Sequence, residues 1–170
     1  VYNKLMQIPT DLNITGFRDY NNKFNNVSNY YTPYGVTNPY FTLNENGSHY
    51  NKERLFGSFG VTANINEWSN LTYRFGLDQY STTTKLWQAI VSADPGSPNA
   101  GSSTEQSGSY SEGTGMIKQL NHDILYDVNF AVSENFNVET TTGFNINSRS
   151  SSSLNASVGS QNIPGFYSLS

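Results

Sequence analysis

The stretch RLFGSFGVTANINEWSNLTYRFGLDQY, residues 54–80, decides the fold. Its apolar residues recur at every second position. Leu55, Phe59, Val61, Ala63 and Ile65 lie before a short break, and Leu71, Tyr73, Phe75 and Leu77 lie after it. A period of two is the pleat of a strand with one apolar face. The pattern predicts strands over 53–66 and 70–81, joined by NEWSN at 66–70. Pairing Ile65 with Leu71 sets Ala63 against Tyr73, Val61 against Phe75 and Phe59 against Leu77. One register then keeps every apolar side chain on one side of the sheet.

The same device returns further along. His122, Ile124, Tyr126, Val128, Phe130 and Val132 alternate with polar residues, and after SEN at 133–135 so do Phe136, Val138, Thr140, Thr142, Phe144 and Ile146. This predicts a second hairpin over 117–132 and 136–149, with Val132 facing Phe136. The connections alternate in length. Residues 1–52 are dense in Asn, Tyr, Gly and Pro, 82–116 hold a Gly/Ser-rich run, and 150–170 are Ser/Asn-rich. Such composition marks turns and irregular structure, and the Gly/Ser run reads as flexible linker or exposed loop tip. The aromatics of residues 1–52 argue against plain disorder. No helix of length is expected.

Composition agrees with an all-β chain. There are 23 Asn and 22 Ser in 170 residues, with 12 Tyr and 10 Phe, and only 35% of residues are hydrophobic. Aromatic residues suit pleated surfaces, and Asn, Gly and Ser suit turns. The net charge of −4, without any run of Lys or Arg, speaks against nucleic acid. The absence of cysteine rules out a disulfide framework and thiolate metal sites. The chain starts without Met and stops at YSLS, and it reads as a segment of something larger.

Charge placement separates the two faces. Arg54, Arg74, Asp78, Asp123, Asp127, Glu139 and Arg149 all fall on the polar parity of the four strands. The apolar parity carries only His122 within them. A face free of charge must be dry, against either a second sheet or lipid. A sandwich uses strands of ~5–6 residues. About 12 residues at ~3.4 Å each reach ~40 Å, enough to cross a bilayer at a tilt. Apolar side chains to lipid, polar ones to a lumen, and alternating short and long connections are the pattern of an antiparallel transmembrane β-barrel segment. Trp68 and Phe136 would belong to one aromatic girdle, and Tyr80 and Trp87 could lie near the other. The competing reading is a soluble secreted β-sandwich module that binds carbohydrate or mediates adhesion.

Three elements carry a resemblance. QIPTDLNITGFRDY (7–20), NPYFTLNENGSHYNKERLFGSFGVTANINEWSNLTYRFGLD (38–78) and IPGFYSLS (163–170) resemble the SusC/RagA family of TonB-linked outer-membrane proteins of Bacteroidetes. The NPY-x-x-LNEN element at 38–46 is the most telling. The resemblance implies an importer of oligosaccharides or peptides in the bacterial outer membrane, with a plugged barrel of about 22 strands. A SusD-like surface lipoprotein caps such a barrel, and the TonB complex supplies energy. Residues 1–52, 82–116 and 150–170 would then be extracellular loops, and 53–81 and 117–149 barrel hairpins.

The resemblance brings no motif that fixes ligand contacts, so candidates follow from chemistry. Aromatic faces with Asn, Asp or Arg nearby hold sugars and peptides. Tyr30, Tyr31, Tyr34, Tyr40, Phe41, Trp87 and Tyr110 lie in the expected outward loops and are the candidate substrate contacts. Arg54, Arg74, Asp78, Asp123, Asp127 and Glu139 are the candidate lumen-facing groups. Catalysis finds no support. His49 and His122 lie without triad or metal spacing, and no cofactor motif is present. Asp123 and Asp127 stand roughly 13 Å apart on one strand face, too far for glycosidase work. Five N-x-S/T sequons, from Asn13, Asn26, Asn46, Asn70 and Asn155, are what chance gives in this composition.

Overall fold

The computed structural model describes residues 2–30 and 37–169. Four strands dominate it: β1 Gly47–Asn66, β2 Ser69–Gln88, β3 Ser109–Ser133 and β4 Phe136–Val158. They form one antiparallel sheet in the order β1-β2-β3-β4. Strands β1 and β4 are its edges, so the sheet stays open. Helix is confined to α1 Tyr2–Leu5, a 3₁₀ turn at Ile14–Phe17, and α2 Pro39–Glu45.

The tight-turn ends fall where the alternation puts them. Glu67 and Trp68 turn the first hairpin, and Glu134 and Asn135 the second. The Asn66 carboxamide accepts from the Trp68 N–H at 3.1 Å and the Ser69 hydroxyl at 3.0 Å, an Asx turn that closes the first link. At their other ends the strands run further than the alternation marks, because pairing persists after the apolar pattern has stopped. β1 starts at Gly47 rather than 53, and β2 continues to Gln88 rather than 81. β3 starts at Ser109 rather than 117, and β4 ends at Val158 rather than 149.

The first hairpin also pairs two residues tighter than an Ile65–Leu71 match. Thr62 Oγ1 lies 2.9 Å from Thr72 Oγ1. A Cβ on Gly60 would rest 3.6 Å from Arg74 Cγ. A shift of two leaves every side chain on its expected face, since the pleat has a period of two.

Helix α2 escapes a search for strand periodicity, yet its signals are local. Asn38 caps it by accepting from the Tyr40 N–H at 2.9 Å, and Pro39 occupies the first turn, where a missing N–H costs nothing.

The chain divides into two compact units. One comprises Val1–Tyr50, Thr83–Gly113 and Asn155–Ser170. It has a small core around Tyr30, Ala89, Val91 and Tyr110, together with buried Ser28, Asn38 and Asn99. The other comprises Asn51–Thr82 and Thr114–Leu154. It is sheet alone, and Ser69 is its only buried residue among those described.

Candidate functional site

In the sheet unit the two faces are chemically opposite. On the polar face Arg54 grips Asp78 through Nε at 2.9 Å and a terminal nitrogen at 2.8 Å. Thr141 donates to Asp127 at 2.6 Å, and Asn137 to Asn129 at 2.9 Å. Asn145 donates to both Asn121 and Asp123. Hydrogen bonds along and between strands thus hold the face together. Among the expected lumen-facing groups, Arg54, Asp78, Asp123 and Asp127 lie in these bonds, while Arg74 and Glu139 stand exposed on the same parity.

The other face is apolar and uncovered. Leu55, Phe59, Val61 and Ile65 of β1 are exposed, as are Phe130 and Val132 of β3 and Phe136, Phe144 and Ile146 of β4. Trp68 meets Phe130 edge-on at 6.2 Å. The polar side chain within this face, His122, has its Nδ1 2.7 Å from the Tyr73 hydroxyl and its ring 5.2 Å from Phe75. The Tyr73 hydroxyl and His122 Nδ1 therefore partner each other without water, as apolar surroundings favour. Along each strand the same parity turns polar at Glu53, Gln79, Lys118 and Ser148.

The polar parity also carries large apolar or aromatic side chains, Phe56, Tyr80, Ile117 and Leu125 among them. Leu125 lies against Gly143, where any Cβ would come within 2.8 Å of Leu125 Cδ2. Phe56 is 70% exposed and meets the Arg54 guanidinium at 5.0 Å from its ring centre.

In the loop unit, asparagine side chains replace regular structure. Asn38 donates to the carbonyls of Phe17 and Asn25, both at 3.0 Å, while capping α2. Asn99 donates to the carbonyls of Val27 and Tyr30. Ser28 and Asp94 exchange hydrogen bonds at 2.9 Å. The segment between β2 and β3 is therefore tied down rather than a free linker, with Val91 bridged to Gln106 and almost fully buried.

The candidate aromatic contacts separate into several roles. Tyr30 is a core residue, edge-on to Phe17 at 5.3 Å, and burial pushes its phenol pKa up. Its ring is not available to a ligand. Tyr110 is also buried. Its hydroxyl donates to Glu112 at 2.6 Å, which raises its pKa. Lys85 approaches the same carboxylate at 2.6 Å, and Lys85 and Tyr110 together hold the Glu112 carboxyl below its usual range. Phe41 packs edge-on to Tyr20 at 5.8 Å, and Tyr40 is half-buried on α2. Tyr31 and Tyr34 lie outside the described residues. Trp87 lines an open groove of about 500 Å³ with Thr42, Leu43, Asn46, Ser48 and Leu86. Its indole covers Gly47 so closely that a Cβ there would meet it at 2.2 Å, and it faces Tyr167 at 5.9 Å. Phe56 escaped the sequence reading because attention went to loop aromatics. Its signal was there: an aromatic on the wrong parity of a strand.

Among the described residues no group of three or more metal-ligating side chains gathers, and no helix is long and apolar enough to cross a membrane. No family model matches the chain, and no curated protein matches it.

Proposed function

We propose that this chain forms part of the wall of an outer-membrane β-barrel importer of the SusC/RagA kind, taking up oligosaccharides or peptides. One observation carries the reading: a sheet apolar on one face and hydrogen-bonded on the other, with the apolar face bounded along every strand. Leu55 to Ile65 spans 11 residues, roughly 37 Å at ~3.4 Å per residue. Tilted by ~45°, that band stands ~26 Å tall, against ~25 Å for the apolar belt of transmembrane barrels. The bare edges of β1 and β4 ask for further strands of the same wall, since open edges are not tolerated in lipid. All described strands belong to one sheet, whereas a sandwich needs two facing each other. The resemblance supplies the remaining roles: a SusD-like lipoprotein at the outer surface and TonB at the inner one. In this reading the chain does no catalysis and uses no cofactor.

The test uses the intact protein from its source envelope, extracted in detergent and run on an SDS gel boiled and unboiled. A mobility that changes on boiling is the expected result, because closed barrels stay folded in cold detergent. A species that is soluble without detergent and migrates unchanged would sink the importer reading and favour a secreted binding module.

A further inference from the structure

We infer that the groove beside Phe56 on the polar face is a binding subsite for one neutral pyranose ring, an inference that rests on the importer reading and names its substrate class as sugar. The groove has a volume of about 460 Å³ and is lined by Phe56, Arg54, Asp78, Gly76, Gln119 and Asn121, among others. Each part supplies something a sugar ring needs.

Phe56 offers an aromatic face on a surface built mostly from Ser, Thr, Asn, Gly and charged residues, where the other aromatic, Tyr80, lies under the Lys52 ammonium at 4.1 Å. The comparable misfit, Leu125, lies against Gly143, whereas Phe56 has the Arg54 guanidinium over its ring at 5.0 Å and is otherwise 70% exposed. The apolar C–H face of a pyranose stacks on such a ring, and its hydroxyls need donors and acceptors around the rim. Those are at hand. A guanidinium has five N–H donors, and Arg54 uses one from each of two nitrogens on Asp78. The rest are free, as are further lone pairs on the Asp78 carboxylate. Gln119 and Asn121 each spend one N–H, on Asn147 and Asp123, and Asn121 Oδ1 already accepts from Asn145 and Asn147, so each offers its second N–H and Gln119 its carbonyl oxygen.

Charge selects among ligands. Arg54 and Asp78 neutralise each other in a two-pronged pair, so the groove presents no spare full charge to a phosphate, a carboxylate or an ammonium group. A charged peptide or nucleotide would leave its own charge unpaired there, which is costly. A neutral sugar leaves nothing unpaired. Gly76 keeps the floor open: a Cβ would fit against Asn121 Cβ at an ordinary 3.6 Å, so space rather than strain explains the glycine.

This last point makes the inference testable with variants of opposite structural effect. Phe56→Ala removes the stacking face. Gly76→Val leaves Phe56, Arg54 and Asp78 in place, suits a strand better than glycine, and fills the groove. The intact protein in detergent is titrated with neutral oligosaccharides of glucose, galactose, mannose and xylose by saturation-transfer NMR, with tetra-alanine as counter-probe. We expect at least one sugar to bind. Its Kd should weaken on the order of tenfold or more in both variants, since an aromatic stack is worth about that much, while Phe56→Trp retains binding. Absence of binding by every sugar would overturn the inference, as would binding that neither variant weakens. Tetra-alanine binding that Phe56→Ala abolishes would also overturn it. If binding is unchanged while Phe56→Ala lowers the unfolding temperature, the ring packs against protein, and the inference fails. Heat-modifiable mobility, read on the same samples, reports separately on the importer reading.

Discussion

The loop unit and the sheet unit solve the folding problem in contrary ways. The loop unit buries Val91, Tyr30 and Tyr110 and orders its backbone through Asn38, Asn99 and the Ser28–Asp94 pair. The sheet unit, the shorter of the two, carries a comparable set of large apolar residues and buries none of them. A surface that leaves Phe59, Phe136 and Phe144 each about 60% exposed is not stable in water by itself. The contrast teaches that burial within the chain does not follow apolar content. What distinguishes the units is whether the covering medium comes from within or from outside.

The largest effect should come from placing a charge on the dry face. If the sheet is barrel wall as proposed, Val61→Arg, near the middle of the band, should destabilise the fold by about 2–4 kcal/mol, the range for a cation at a bilayer midplane. Thr62→Arg, one residue on and facing the other way, should cost close to nothing. Urea titration of both variants of the intact protein in vesicles would break the contrast if the two behaved alike.

A smaller effect is expected where the loop unit depends on a single carboxamide. Asn38→Ala leaves the Phe17 and Asn25 carbonyls and the Tyr40 N–H without their partner. The loss should be about 2 kcal/mol, the usual penalty for buried polar groups left unmet. Amide hydrogen exchange of residues 14–46 should speed up with no change in the strand hairpins. If the hairpins respond equally, the two units are not separable.

Gly47→Ala should follow at about 1–2 kcal/mol, an overpacking cost. The new methyl overlaps the Trp87 indole and must push it from Tyr167. A red shift in tryptophan emission would report it, with Trp68 as the unaffected background.

The smallest effect is electrostatic. The Glu112 carboxyl is lowered by its bonds from Lys85 and Tyr110, so its contribution is full above the ordinary glutamate range and fades as pH falls through the lowered value. Lys85 is raised by the same carboxylate, so its share persists through the ordinary lysine range and is lost only above it. Tyr110, raised first by its bond to Glu112, should ionise later than an ordinary tyrosine. Glu112→Gln should bring that ionisation back toward pH 10, visible by ultraviolet absorbance.

Much of the sheet was legible in the sequence because period-two alternation is a strong signal between Leu55 and Ile65 and again between Ile124 and Ile146. The strand ends beyond Glu53, Gln79, Lys118 and Ser148 were not legible. There apolar residues such as Leu86, Met116 and Leu154 are scattered among polar ones without a period, and backbone pairing leaves no trace in the hydropathy. Helix α2 was announced by Asn38 and Pro39 but lies in a stretch where composition suggested irregular chain. The core of the loop unit was the hardest to foresee. An asparagine that bonds two distant carbonyls is indistinguishable, in one dimension, from an asparagine in a turn. The same blindness hid the roles of Tyr30 and Tyr110, whose rings serve packing.

The carboxamide core of the loop unit has a thermal consequence. Exposing apolar area on unfolding raises the heat capacity, while exposing polar groups lowers it. A core knitted from Asn38, Asn99 and Ser28 should therefore open with a small heat-capacity change, and its stability curve should be shallow. Cooling weakens a hydrophobic core more than a hydrogen-bonded one, so this unit should keep its form across a wider span of cold than its size would suggest.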